Sequence, residues 1–449
     1  MDKLEKNIKE WRDHFSRTGS MRKEDLDELE DHLREEISEL KGKELSDDEA
    51  FIIAVKRLGK IHSLSREFRK VNTHNLWKFL FSEPEEPEER ASSKRELFIA
   101  ITLSMVAALL VEIPKLFSYT FDQETIFYMK NLSFFALPLI AIFLFYKKQV
   151  NLKNMIVIIS VFLISLLLIN LYPFKKPFHT ANLSILHLPL FLWFFCGLAY
   201  TGKNWKRSPE WMDFLRFTGE LFIYTILLVC GVMVVTGMII LLFGAIDINL
   251  ENLALEYFSI PACIAMPVIA SYLVEEKKSV VENLAPILAR IFAPVFLVIM
   301  LIFLGTMIFL QKSPFIEREF LIGFDLMLVL VLGIVFYILS TRDENQPPRF
   351  YDWISLVLIV TALAVDIVAL SAIISRLKSF GMSPNKTAAL GENILIFIHL
   401  FGTGILFIQF FRGKVDFNRI EKWQTGFLPA FALWLGIVAL AFPLLFQFM

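Results

Sequence analysis

Residues 354–377 read Ile-Ser-Leu-Val-Leu-Ile-Val-Thr-Ala-Leu-Ala-Val-Asp-Ile-Val-Ala-Leu-Ser-Ala-Ile-Ile-Ser-Arg-Leu. Up to Ser375 the only charge is Asp366. A bilayer core about 30 Å thick needs roughly 20 apolar helical residues, so this stretch reads as a transmembrane helix. By the same ruler ten further spans are expected, at Leu97–Phe117, Phe127–Tyr146, Met155–Pro173, Leu183–Tyr200, Phe217–Ala245, Leu253–Leu273, Ile287–Leu310, Phe320–Ser340, Ala389–Phe411 and Phe427–Phe448. The fourth and sixth are short or proline-bearing, which bounds the count at ten to twelve. The expected fold class is therefore all-α: a polytopic helical membrane protein of about eleven transmembrane helices with a small N-terminal helical domain.

Composition agrees. The chain has 449 residues, 55% of them hydrophobic, and a formal net charge of −1. That near-neutral balance hides an uneven distribution, because residues 1–95 carry 20 Lys and Arg and 23 Asp and Glu, while 40 of the 45 Phe lie beyond them. Phosphate binding needs a cationic surface, so no nucleic-acid partner is expected. The lipid bilayer is the partner the composition implies. The three cysteines, Cys196, Cys230 and Cys263, lie far apart in apolar runs and read as core packing rather than as a metal site or a disulfide framework.

Three regions follow: 1–75, a helical head; 76–95, an aromatic foot and an acidic tether; and 96–449, the membrane body. In the head, Leu26, Leu29, Leu33, Ile37 and Leu40 form one stripe of a helix over about Lys23–Lys41. Ser46 and Glu49 form a capping box for a helix that stops before Gly59. Flanking helices are expected at about Leu4–Phe15 and Ser63–Val71. Leu76–Phe81 reads as an interfacial foot, and Ser82–Glu89, with five Glu and two Pro, as an extended, self-repelling tether. No apolar leader follows Met1, so the head is expected in the cytoplasm. With that orientation the inner loops hold sixteen Lys and Arg and the outer loops nine, which obeys the positive-inside rule and puts the C-terminus outside. Trp205, Trp211, Trp353 and Trp423 then form an inner aromatic belt.

The run Leu26-Asp-Glu-Leu-Glu-Asp-His-Leu-Arg-Glu-Glu-Ile37, with Gly42–Phe51 and Ala54–Gly59, resembles the HAAS or permease-prefix domain. The resemblance covers about 50 residues. It implies a cytoplasmic helical module ahead of a bacterial inner-membrane protein, with a signalling or docking role, a cytoplasmic protein as its partner, and no catalytic residues.

Ionisable groups within spans cost about 2.5–3.5 kcal/mol on insertion scales, so each requires a reason. Asp366 is the deepest; Asp325, Glu112 and Glu220 are shallower and read first as paired near an interface. Glu392, Asn393 and His399 share a face of the tenth span, where they could relay protons, bind a polar solute, or simply bond neighbouring helices. Asp366, Glu392, Asn393 and His399 are the candidate solute or proton path.

Between the ninth and tenth spans, Arg376-Leu-Lys-Ser-Phe-Gly-Met-Ser-Pro-Asn-Lys386 contains a turn glycine (Gly381), a cap (Ser383) and a first-turn proline (Pro384). Those features leave Arg376, Asn385 and Lys386 unexplained; beside a helix N-terminus they make a candidate outer anion site. This stretch with Glu392-Asn393 resembles the motif of a multispan bacterial family known as domain of unknown function 4153, with Lys386 where arginine is common. That resemblance implies a related fold and no established activity. Pro261 and Pro267 are expected to break the sixth span, as helices at transporter sites are broken. No metalloprotease, Walker or serine-elbow motif is present. Asp325 and Asp366 lack the Gly-x-Gly-Asp setting of an intramembrane aspartyl dyad. Neither an enzyme nor a cofactor is expected, and the leading functions are permease-like handling of a small polar or anionic solute and a non-transporting sensor or scaffold.

Overall fold

Eleven helices of 17 to 37 residues make up the described part of the membrane body. They are α1 (Pro87–Glu112), α2 (Thr125–Lys148), α3 (Leu152–Leu171), α4 (His179–Thr201), α5 (Ser208–Gly244), α6 (Ile260–Glu276), α7 (Lys278–Phe309), α8 (Arg318–Ser340), α9 (Phe350–Phe380), α10 (Pro384–Phe411) and α11 (Phe417–Gly436). The computed structural model describes residues 87–117, 125–276, 278–309, 318–342 and 346–449, together with positions 4, 8, 30, 31, 33–35, 37, 38, 40, 47, 49–51 and 54. The chain divides into two units, Met1–Arg90 and Ala91–Met449.

In the first unit the described positions are helical and share a small core of Ile8, Leu33, Ile37, Leu40, Ala50 and Ala54. The stripe expected from the spacing of Leu33, Ile37 and Leu40 is thus buried. The helix expected at Ser63–Val71 and the foot at Leu76–Phe81 lie outside the described residues. Helix α1 begins at Pro87, inside the stretch read as a tether; residues 82–86 lie outside the described residues. Proline suits the first helical position.

Among the described residues of the second unit, ten helical segments are long and apolar enough to cross a membrane. The remaining expected span falls on α7, whose described apolar part is Ile291–Gly305. The most apolar stretch of α5 has a mean hydropathy of 3.0 yet is only 6% buried, and Leu227, Met238 and Leu241 are exposed. Water would not tolerate such a surface; hydrocarbon does.

Two cores organise the body. The first draws on α1 to α6 and on Ala439 beyond α11; the second draws on α7 to α11. Helix α5 serves both, giving Trp211, Phe214 and Phe217 to the first and Met212 to the second. Ion pairs close one end of the first core: Lys147 on α2 meets Glu96 on α1, and Lys148 meets Glu275 on α6 at 2.8 Å. At the opposite end Lys115 pairs with Glu112 at 2.9 Å and Glu256 at 3.4 Å, so Glu112 is an ion-paired end residue, as expected. Glu220 is buried within α5.

Lipid offers apolar helix faces the same solvent they already have, so close packing rather than apolar burial holds such helices together. Small residues make room for it on α10. A Cβ on Gly391 would stand 1.9 Å from Trp434, and one on Gly402 2.2 Å from Trp423. Both glycines and both tryptophans are eleven residues apart, in the reversed order of an antiparallel pair. Trp423 packs into the Gly402 notch and Trp211 is buried. Trp205 and Trp353 keep an exposed face. Cys196 is buried as expected, whereas Cys230 is exposed on α5 and Cys263 is half-buried, so a cysteine in an apolar span is not necessarily in the protein core.

The sixth span is not broken. A π-helical turn, Leu255–Ser259, leads directly into α6, which runs through Pro267. A second π turn, Ile437–Ala441, extends α11, and Pro443 follows it. Proline has no N–H for the carbonyl four residues back, at Ala439. The Ser184 hydroxyl on α4 donates to that carbonyl at 2.7 Å, and the Tyr172 hydroxyl donates to Leu440 O at 2.7 Å.

Candidate functional site

The turn between α9 and α10 is built as its residues dictate. Gly381 sits at φ 71°, where a Cβ is disfavoured, and its N–H ends α9 on Leu377 O at 3.0 Å. Ser383 takes the extended N-cap backbone and Pro384 opens α10, although the serine hydroxyl makes no capping bond. Lys386 donates from Nζ to Gly381 O at 2.9 Å, so part of its role is to tie the turn.

A cavity of about 350 Å³ opens beside this turn. Arg376 of α9, with Asn385 and Lys386 of α10, lines it, so the three residues of the candidate anion site do meet. Asp325 of α8 and His179 at the start of α4 line it too. Ser383 also lines it, and the rest of the wall is apolar: Leu321, Ile322, Ile373, Phe380 and Ala389. The Arg376 guanidinium buries Nη1 without a hydrogen-bond acceptor among the described residues. A buried charge-bearing N–H without an acceptor costs free energy, so the guanidinium beside the cavity is under-satisfied where it stands.

Behind the cavity the polar residues are linked. Asn393 donates from Nδ2 to Asp325 Oδ1 at 2.8 Å, joining α10 to α8. Its neighbour Glu392 bonds His187 Nε2 on α4, while His187 Nδ1 lies 2.7 Å from Leu183 O. With Leu183 O as acceptor, Nδ1 carries the proton. Asp366 lies within electrostatic reach of Asp325 but does not line the cavity. It is fully buried, and both its carboxyl oxygens lack a hydrogen-bond partner among the described residues.

His399 stands apart from this group. It is fully buried among Phe336, Trp423, Phe427 and Phe431, with ring centroids 5.0 to 6.5 Å away. The Gln424 side chain of α11 also faces the ring, although neither ring nitrogen has a partner within 3.5 Å among the described residues. A common helix face was therefore not a common environment: seven residues is about 10 Å of helix, enough to change neighbours. Sequence reasoning missed His179 and His187. His187 offered a signal, as an imidazole inside an apolar span; His179 offered none, since it gains its place only when α4 meets the α9–α10 turn.

The described helices and their lipid-compatible exterior define a class: an integral, multi-pass helical membrane protein. In comparisons with known proteins, no family model, no curated protein and no solved structure matches the chain.

Proposed function

We propose that this protein binds a small polar or anionic solute in the Arg376 cavity and handles it as a permease does, with a cytoplasmic helical head of the permease-prefix type as its regulatory module. In this reading the N-terminus is cytoplasmic, the C-terminus exterior, and the cavity opens outward in a bacterial inner membrane. The observation that carries it is a cavity lined together by Arg376, Lys386, Asn385 and Asp325, with Arg376 Nη1 lacking an acceptor among the described residues. Two polar pairs from adjacent residues of α10, Asn393 with Asp325 and Glu392 with His187, stand next to the cavity. Asp366 is a buried acid that does not line the cavity, and His399 has no part in the path.

Uptake of a broad solute panel into proteoliposomes tests the reading. Wild-type protein should accumulate a solute, and Arg376→Gln should lose that uptake while inserting normally. Unchanged uptake in Arg376→Gln would remove the cavity from the mechanism. The second reading is a sensor or scaffold whose head docks a cytoplasmic protein. It is favoured by the burial of Asp366, which leaves no continuous polar passage among the described residues. Solute binding by wild type without uptake would select it.

A further inference from the structure

We infer that the ligand of the Arg376 cavity is a zwitterion, its oxyanion held by Arg376 and its ammonium group by Asp325. The inference rests on the solute-binding reading above and goes further by assigning a ligand class. Arg376 and Asp325 line the same cavity from neighbouring helices, α9 and α8, yet they make no ion pair with each other. Opposite charges sharing a water-poor space attract strongly unless the fold keeps them apart. Here the fold does so. Asp325 is fixed through Oδ1 by Asn393, and Oδ2 has no donor among the described residues. Arg376 buries Nη1 with no acceptor. A carboxylate and a guanidinium that make no pair with each other thus line one cavity of about 350 Å³.

A simple anion would satisfy Arg376 and be repelled by Asp325, and a simple cation would meet the converse. A molecule carrying both charges satisfies both groups. The other charged groups nearby do not remove the asymmetry. Lys386 is tied to Gly381 O, Glu392 is bonded to His187, and the buried Asp366 does not line the cavity. The wall of Leu321, Ile322, Ile373, Phe380 and Ala389 accommodates a hydrocarbon portion. Ile322 and Phe380 are also exposed on the outside of the bundle, where acyl chains would lie. The shared chemistry is therefore an ammonium group and an oxyanion on a short apolar frame, supplied by a free amino acid or by an aminophospholipid headgroup.

Purified full-length protein in lipid-free detergent would be titrated calorimetrically with leucine and phosphoethanolamine. The single-charge counterparts are 4-methylpentanoate, phosphate and 3-methylbutylamine. A parallel titration would use nanodiscs with and without phosphatidylethanolamine. At least one zwitterion should bind ten-fold or more tightly than its single-charge counterparts. Asp325→Asn should erase that margin by weakening the zwitterion while sparing or improving the anion, and Arg376→Gln should abolish both. If binding is lost only in phosphatidylethanolamine nanodiscs, the lipid headgroup is the occupant; if it persists there, the ligand is a free solute. Equal or tighter binding of the anions to wild type overturns the zwitterion assignment and leaves the anion-binding reading standing. No binding in any arm overturns both. Should Asp325→Asn not fold, the wild-type ratio decides by itself.

Discussion

Replacing Gly391 or Gly402 by alanine tests whether the α10–α11 seam is set by glycine notches that receive tryptophan rings. The added Cβ would lie 1.9 Å from Trp434 Cζ2 at position 391 and 2.2 Å from Trp423 Cζ2 at position 402. Carbon atoms rest about 3.5 to 4.0 Å apart, so ring or helix must retreat by about 1.5 Å at either site. Overpacking of this kind costs about 1–3 kcal/mol, and such a retreat belongs at the upper end because both contacts are to rigid indole rings. Two controls fix the sign. Gly231 and Gly237 on α5 would place a Cβ in open space, so alanine there gains helix propensity of about 0.5–1 kcal/mol. The assay is thermal denaturation of purified protein in detergent, followed by tryptophan fluorescence. Gly391→Ala and Gly402→Ala should lower the midpoint while Gly231→Ala and Gly237→Ala leave or raise it. Pairing Gly402→Ala with Trp423→Leu should recover part of the loss. Trp423 Nε1 donates to His399 O at 3.0 Å, whereas Trp434 Nε1 has no acceptor among the described residues. Trp434→Phe should therefore cost less than Trp423→Phe, by about 0.5–1.5 kcal/mol for one hydrogen bond. If all four glycine variants melt within a degree of one another, the notch account is wrong.

Three further outcomes are expected. Arg342 pairs with Asp352 through two bonds, 2.9 and 3.2 Å, and stands over Phe410 and Phe417, tying the ends of α8 and α10 to the starts of α9 and α11. Arg342→Gln should destabilise the protein by about 3–5 kcal/mol, and Arg342→Lys by less; a neutral Arg342→Gln in a denaturation assay would contradict a buried pair. Ser184→Ala strips the carbonyl of Ala439 of its donor and should cost about 1–3 kcal/mol, visible as a lowered melting midpoint that Ser184→Thr partly restores. A carbene-generating photoprobe dissolved in the bilayer should label α5 around the exposed Cys230 and not α4 around the buried Cys196; equal labelling of both would refute the assigned burial.

The spans could be read directly because lipid allows few alternatives: a helix must satisfy its own backbone, and the bilayer sets its length. Arg376, Asn385 and Lys386 could be grouped because a short turn keeps them together, and the cavity does contain all three. Asp325 was legible only as an isolated charge. Its partner Asn393 and its cavity neighbour Arg376 lie on other helices, and their adjacency comes from the packing of α8 against α9 and α10. For Asp366 and His399, depth in a span revealed burial but not what surrounds them. Pro87, which reads in the sequence as a breaker, starts a helix instead, because proline at a first helical position lacks only an N–H that would be unpaired anyway.

What the sequence by itself determined is the all-α membrane class and the approximate place of each helix, because hydropathy and length act residue by residue along the chain. The tertiary structure alone decided which polar groups share a cavity and which are sealed in apolar packing. A helix face acquires its chemistry from the helices packed against it, and here that meeting brings α4, α8, α9 and α10 around Arg376 and Asp325 while closing aromatic rings around His399.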